Sequence, residues 1–333
     1  MMRKYLPSVI SHSTVGEVIV ADNASTDGSM EMLQKEFPST RTIVLEKNFG
    51  FAEGYNRALA QLPDYEYYLL LNSDVEIRQR GWDKVLTDYM DTHPECAACQ
   101  PKLLDLRKAE EQGPSFFEYA GACGGFLDHY GYPFCRGRIL GTVEEDRGQY
   151  DEPCAVHWAT GAALLCRATD WKACGGLDGR FFAHMEEIDL CWRLRNLGRD
   201  IVCHPQSTAW HLGGATLHQG NPRKTLLNFR NNLLMLYKNL PEKELRPTLH
   251  IRTLLDCLAA LQYLLKGDLG NMKAVFKARR EFLRMKAEYA PVRQAIQSNR
   301  KTPLIPERTN YSILWQYYLR GRKTYDRLPR QTQ

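Results

Sequence analysis

Over its first hundred residues the chain alternates short apolar runs with amphipathic stretches. EVIVAD, Glu17 to Asp22, is a β-branched run that stops at the turn-forming NASTDGS, where Asp27 or Ser29 can cap a helix through MEMLQKEF. RTIVLEKN, Arg41 to Asn48, predicts a second strand, and the Gly-opened GFAEGYNRALAQL a second helix. YEYYLLLNSD predicts a third strand, buried on both faces because its apolar run is continuous rather than alternating. Strand, helix, strand, helix, strand predicts an α/β layer on a mainly parallel sheet. Ligands of such sheets bind beyond the carboxyl ends of the strands. Asp22, Asn48 and Asp74 all fall there. Three polar side chains at three strand ends make a site, where one alone would be a capping residue.

Leu104 to Pro153 is less regular. Glycines crowd GACGGFLDHYGYPFCRGRILG and acids crowd EEDRGQYDE, which predicts an insertion of loops and short hairpins bordering the site. AVHWATGAALLCR, Ala155 to Arg167, returns to strand. GGLDGRFFAHMEEIDLCWRLRNLG reads as a turn and a helix that Gly198 closes, and DIVCHPQSTAWHLGG as strand and loop. A helix beginning near Glu186 places Glu186 and Asp189 on one face at i, i+3 and points Glu187 elsewhere. Beyond residue 220 the pattern is helical. Leu254, Leu258, Leu261 and Leu265 form one apolar stripe that Gly267 closes. Lys273, Lys277, Arg280 and Arg284 share one face of the next helix, with Val275, Phe276 and Phe282 off it.

A chain of 333 residues with 44% apolar content can bury a sizeable core. Its net charge of +5 hides an asymmetry. Residues 1–220 carry 21 Lys and Arg against 31 Asp and Glu, net −10, and residues 221–333 carry 23 against 8, net +15. Two regions are expected: an α/β unit over 1–220, with the 104–153 insertion, and a basic helical region over 221–333. No uncharged stretch approaches the roughly 20 residues of a membrane-crossing helix. Membrane contact is therefore expected to be peripheral, a basic amphipathic helix on an anionic lipid surface. Nucleic acid is not expected as a partner, because the aromatic-basic interleaving of a known module is missing. Ten cysteines without regular spacing suggest reduced thiols facing a cytosol. Cys96-x-x-Cys99 has no second pair at zinc spacing and reads as small buried hydrophobes. No Gly-x-Gly-x-x-Gly follows the first strand and no Walker lysine follows Asn48, which argues against a dinucleotide-binding oxidoreductase and against a P-loop.

Six blocks in order, VADNASTDGS, NFGFAEGYNRAL, LLLNSDVEI, WATGAALLCRA, FFAHMEEIDLCWRLRNLG and AWHLGG, resemble glycosyltransferase family 2, in particular its bacterial rhamnosyltransferase-like members, over residues 3–235. The resemblance implies a GT-A fold, an α/β nucleotide-sugar-binding domain. It implies that Asp22 contacts the base of the donor and that Asn23, Asn48, Gly50 and Asn56 line the nucleotide. Asn72-Ser73-Asp74 resembles the family's Asp-x-Asp motif with an amide for its first acid, so Asn72, Ser73 and Asp74 are expected at the donor's diphosphate. Transfer from a sugar diphosphate expels a multiply charged leaving group, and Mg²⁺ or Mn²⁺ on oxygen ligands can neutralise that charge. Asp74 is the expected ligand. His211 resembles a histidine that some members add to the same ion, a ligand that would favour Mn²⁺.

An inverting transfer needs a carboxylate to take the proton of the acceptor hydroxyl. The family's Glu-Asp-x-Asp-Leu form sets Glu187 at the position of this base, with Glu where Asp is usual. The extra methylene leaves the choice between Glu187 and Glu186 open, and Asp189 is expected to support them. Trp158 and the Thr160–Ala163 turn, with Gly161 and Ala162, match the segment where the acceptor sits; Trp158 either stacks on a sugar or packs in the core. Family members normally open with a strand of the type VVIxNWN. This chain opens at MMRKYLPSVI, which matches the helix after that strand, so the first strand is expected to be missing. The expected activity is inverting, metal-dependent transfer from a UDP- or dTDP-sugar to a glycan or polyprenyl-linked acceptor in cell-surface polysaccharide assembly. The expected place is the cytoplasm, peripheral on the cytoplasmic face of the inner membrane. The alternative is an impaired or truncated relative that serves as a binding module.

Overall fold

The computed structural model describes residues 1–113, 115–213 and 220–329. Helix α1 (Met2–His12) leads into β1 (Ile19–Asp22), α2 (Ser29–Glu36), β2 (Arg41–Val44), α3 (Gly50–Leu59) and β3 (Tyr67–Leu71). Asp27 Oδ1 accepts the Ser29 amide at 3.1 Å, satisfying a donor that the first turn of α2 leaves free. β1 and β2 pair in parallel, from Ile19 against Arg41 to Asp22 against Val44, as a two-stranded sheet of their own. The chain continues through β4 (Val75–Glu76), α4 (Trp82–Thr92), β5 (Cys96–Asp105) and α5 (Leu106–Gln112). Four short strands follow, β6 (Gly125–Leu127), β7 (Pro133–Cys135), β8 (Arg138–Ile139) and β9 (Thr142–Val143), which form a small antiparallel sheet. After them come β10 (Cys154–Ala155), β11 (Ala163–Arg167), α6 (Ala168–Cys174), α7 (Glu186–Asn196) and β12 (Asp200–His211).

The main sheet runs β10-β12-β5-β11-β3, with β4 on the end of β12. It is mixed rather than mainly parallel. Only β5 and β12 pair in parallel, while β3–β11, β5–β11, β4–β12 and β10–β12 are antiparallel. An apolar run reports burial and says little about strand direction. β3 is also less buried than its sequence predicts: Tyr68 and Leu70 are buried, but Tyr67, Leu69 and Leu71 only half so, because β3 is the edge of this sheet. β5 is its centre, buried at every residue but Asp105. One face of the sheet packs Cys99, Leu165 and Val202 against Val9 of α1 and Trp82, Leu86 and Met90 of α4. The other packs Leu70, Ala98 and Leu164 against Trp171 of α6 and Ile188 and Leu194 of α7. Two apolar faces covered by helices are what a layered α/β domain requires.

Helices α8 (Pro222–Asn239), α9 (Glu242–Leu265), α10 (Leu269–Met285) and α11 (Ala290–Ser298) form the basic region. Asn221 caps α8 by accepting the Arg223 amide at 2.9 Å, and Leu233 to Asn239 are buried throughout. α9 is turned inside out. Thr248, Arg252 and Asp256 are buried; the Arg252 guanidinium lies 3.4 Å from Asp256, donates to Tyr130 O at 3.1 Å and to Asn232 Oδ1. The leucine stripe faces outward, with Leu254, Leu258, Leu261 and Leu265 exposed by 63, 60, 47 and 79%. Helices usually turn such a stripe to the core; here the inward charges have partners, which removes most of the cost of burying them. On α10, Lys273, Lys277, Arg280, Arg284 and Phe276 are exposed while Val275 and Phe282 are buried. Among the described residues no helix is long and apolar enough to cross a membrane.

Candidate active site

The site has two acidic centres. The first is at the end of β3. Pairing of β4 with the end of β12 sets His211 opposite Val75 and brings it onto Asp74, 137 residues earlier. His211 Nε2 lies 3.2 Å from Asp74 Oδ1 and 3.4 Å from Asn72 Nδ2, and its Nδ1 lies 3.3 Å from Glu118 Oε1. The other Glu118 oxygen accepts the Ala120 amide at 2.6 Å. Gly213 has φ +65, and a Cβ there would sit 2.9 Å from Glu118 Oε1. Burial disfavours a charged imidazole, but Glu118 and Asp74 outweigh it and raise His211 to about 10. Burial likewise pushes Asp74 upward, yet the bond to His211 and its charge hold the carboxyl below its usual value.

Asp74 Oδ1 and His211 Nε2 are 3.2 Å apart, close to the roughly 3 Å between neighbouring ligands around an octahedral ion with bonds of about 2.1 Å. An oxygen and an imidazole nitrogen at that separation could ligate Mg²⁺ or Mn²⁺ once the ion displaces the proton that His211 shares with Asp74. Among the described residues no group of three or more His, Cys, Asp or Glu could hold an ion unaided. The remaining ligands would have to come from outside these residues.

The second centre is the start of α7. Phe182, His184 and Met185 have φ of +66, +71 and +73, values that cost a residue with a side chain about 1 kcal/mol or more each. Buried Asn231 of α8 holds this loop, its Nδ2 lying 3.0, 3.0 and 2.8 Å from the carbonyls of Phe181, Ala183 and His184. The loop delivers Glu186 and Glu187 to the first turn of α7, where an Oε2 of each is buried without a hydrogen-bond partner. Burial pushes Glu187 up to about 7. Burial first, and then the neighbouring Glu187, drive Glu186 well above the carboxylate range. The positive end of the helix favours the charged acids, but burial prevails.

The Thr160–Ala163 turn bridges the centres. Ala162 O accepts the Asn72 amide at 3.0 Å, and a Cβ on Gly161 would stand 3.7 Å from Glu187 Cβ and 3.1 Å from the Phe51 ring. Tyr55, one turn along α3 from Phe51, donates to Leu71 O at 3.0 Å. Burial, with a smaller push from Asp74, raises Tyr55 to about 12. Asp22, at the end of β1, is buried and accepts the Ser25 amide at 3.1 Å. Asn23 and Asn48 latch β1 to α3. Asn23 accepts from Phe49 at 3.0 Å and donates to Gly50 O at 2.9 Å, and Asn48 accepts the Gly50 amide at 2.9 Å. Gly50, at φ +80, leaves no room for a Cβ, which would lie 2.5 Å from Phe182. Ser73 is exposed beside Asp74.

Asp189, expected in support, Trp158, left open between sugar stacking and core packing, and Asn56, expected at the nucleotide, all turn their side chains to other parts of the protein. Asp189 is fully buried, bound to Arg193 at 2.9 Å, Lys238 at 2.7 Å and Asn239 at 2.9 Å; it fastens α7 to α8 and cannot touch a substrate. Trp158 is core: its ring fills the space over Gly125 and its Nε1 donates to Phe126 O at 3.0 Å, so it has no face for a sugar. Asn56 spends its amide on Leu177, donating to the carbonyl at 2.7 Å and accepting from the amide at 3.0 Å. Glu118, Tyr55 and Phe51 join the site unannounced. Phe51 and Tyr55 stand at i, i+4 on α3, a spacing visible in the sequence, whereas nothing local marks Glu118.

A mixed α/β sheet with Asp74 at a strand end, beside an acid-led helix, is the arrangement of a GT-A fold. The fold is shared with Staphylococcus aureus TarS 1-349, solved in complex with UDP-GlcNAc, at a TM-score of 0.51 and 16% identity over 90% of this chain and 84% of that one. It is also shared with GalNAc-T7, solved with UDP, GalNAc and Mn²⁺, at a TM-score of 0.55 and 12% identity over 71% of this chain and 45% of that one. Residues 2–134 match the family model described as Glycosyl transferase family 2. The chain is similar to bacterial rhamnosyltransferases, being 27% identical over 208 residues to the N-acetylglucosaminyl-diphospho-decaprenol L-rhamnosyltransferase of Mycobacterium tuberculosis. That match covers 58% of this chain and 66% of the relative, just under two thirds of its length. An O-antigen biosynthesis protein, RfbC, of Myxococcus xanthus is 26% identical over 196 residues, 59% of this chain and 15% of that protein.

Proposed function

We propose that the chain is an inverting glycosyltransferase that moves a sugar from a UDP- or dTDP-linked donor to a hydroxyl of a lipid-linked glycan, in cell-surface polysaccharide assembly on the cytoplasmic face of a membrane. The observation that carries this reading is the pair of acidic centres with opposed proton affinities, joined through Gly161 and Ala162. Asp74 and His211 would hold Mg²⁺ or Mn²⁺, which when bound supplies neutralisation of the charge developing on the diphosphate. Asn72 and Ser73 flank that end of the donor, and Asp22, Asn23, Asn48 and Gly50 shape the nucleotide end. Glu187 takes the acceptor proton as the acceptor oxygen bonds to the anomeric carbon and the bond to the diphosphate breaks on the opposite face. Glu186 keeps its own proton, which lets its neighbour ionise.

The acceptor class draws support from the mycobacterial relative, named for N-acetylglucosaminyl-diphospho-decaprenol, and from a groove of about 650 Å³ between α8 and α10. Arg180, Arg223, Arg230, Lys273 and Lys277 line it against one acid, Glu281. Phe182, in its wall, also packs on Gly50. Both helices begin at the groove and add their positive ends, an environment suited to a diphosphate. Transfer assays and thermal shifts with UDP- and dTDP-sugars, with and without Mn²⁺, test the proposal. Wild type should transfer and Asp74→Ala should do so about 10³-fold more slowly; transfer at the wild-type rate in folded Asp74→Ala would defeat it. One observation favours a binding module instead: β1, which carries Asp22, pairs with β2 in a sheet separate from β3. Donor binding without turnover would select that reading.

A further inference from the structure

The leucines that α9 turns outward belong to a larger face. At the α9–α10 tip Leu264 and Leu269 are 47 and 51% exposed, and along α10 Phe276 and Leu283 are 53 and 61% exposed. Exposed Lys266, Lys273, Lys277, Arg280 and Arg284 run among them. Residues 261–286 hold seven Lys and Arg against two acids. Both acids are engaged: Asp268 accepts the Asn271 amide at 3.0 Å and Glu281 pairs with Arg230 at 3.2 Å. So many large apolar side chains on one helix pair mark an interaction surface.

We propose that the outer face of the α9–α10 pair docks on an anionic bilayer, with the leucines and Phe276 in the headgroup boundary and the cations on lipid phosphates. The sequence pointed to the basic face of α10 alone; the inverted packing of α9 adds the apolar half that a bilayer surface requires. Charge selects the occupant. An isologous contact with a second copy would set the same cations against one another, whereas an anionic surface complements them. Lysine and arginine stems can lie along the apolar face while their heads reach the phosphates. Lys273 and Lys277 also line the basic groove, so docking brings that groove to the level of the headgroups. The surface does not depend on the sugar chemistry, and its test is separate from the transfer assays.

The test is flotation of the full chain with vesicles of phosphatidylcholine alone or mixed with phosphatidylglycerol. Wild type should float with the anionic vesicles, stay behind with the neutral ones, and release in high salt. Leu258→Glu/Leu265→Glu and Lys273→Glu/Arg280→Glu should each bind about tenfold more weakly or worse, with thermal midpoints unchanged because these side chains are exposed. The salt release of wild type reads the charge arm without any substitution. Wild type that ignores anionic vesicles, or variants that bind as well as wild type, would overturn the proposal. A wild-type dimer that Leu258→Glu dissolves would overturn it in favour of a protein interface.

Discussion

At the end of β3, Asp74 faces His211 and is held below the usual carboxylate range; at the head of α7, Glu187 has a buried oxygen with no partner and is pushed up to about 7. The same functional group is thus kept charged in one place and poised to accept a proton in the other, within one cluster of side chains. The difference comes from neighbours. Asp74 and the Oε2 of Glu187 are both buried, but only Asp74 has a cation to offset the loss of water. Asp189 makes the contrast sharper. It stands two residues after Glu187 on the same helix, and Arg193 and Lys238 make it a fastener rather than a reagent.

The largest effect should come from removing the charged partner. Asp74→Ala should lower kcat about 10³-fold at saturating Mn²⁺, read by initial transfer rates with the circular dichroism spectrum unchanged. Glu187→Gln should cost about 10²-fold and Glu186→Gln less; the reverse order would make Glu186 the base. Glu187→Gln should also stabilise the protein. The folded pKa of about 7 lies above the ordinary 4.5, so between these values the folded chain keeps a proton that the unfolded chain has released. Stability therefore falls as pH rises through that window, and the glutamine should recover about 1–3 kcal/mol at pH 8 in a urea titration. Asp189→Ala should do the opposite. It leaves Arg193 and Lys238 short of a buried partner and should destabilise by about 3–5 kcal/mol, with the kcat of the folded fraction near wild type. Arg223→Glu, in the basic groove, should have the smallest effect, raising KM for a lipid-linked acceptor about three- to tenfold with donor KM unchanged.

The strand ends were legible because an apolar run that stops at a polar residue marks both a strand and its mouth. Asp22 and Asp74 were found that way, and the start of α7 by its acids. Orientation was not legible. Trp158 and Asn56 occupy motif positions, yet the space over Gly125 and the backbone at Leu177 decide where their side chains point. The α9 stripe shows the same limit: its period gives a helix with two faces, but which face turns inward depends on Tyr130 and Asn232, far away in the chain. Glu118 reaches His211 only through the folded insertion, and no local pattern announces such a contact.

The pH dependence of kcat/KM for the acceptor, in wild type and Glu187→Gln at saturating donor and Mn²⁺, bears most directly on the contrast between the two centres. The wild-type rate should rise about tenfold per pH unit below an inflection near 7 and then level off, and the residual rate of Glu187→Gln should be flat across that range. An inflection near 7 that survives in Glu187→Gln would show that another group takes the proton.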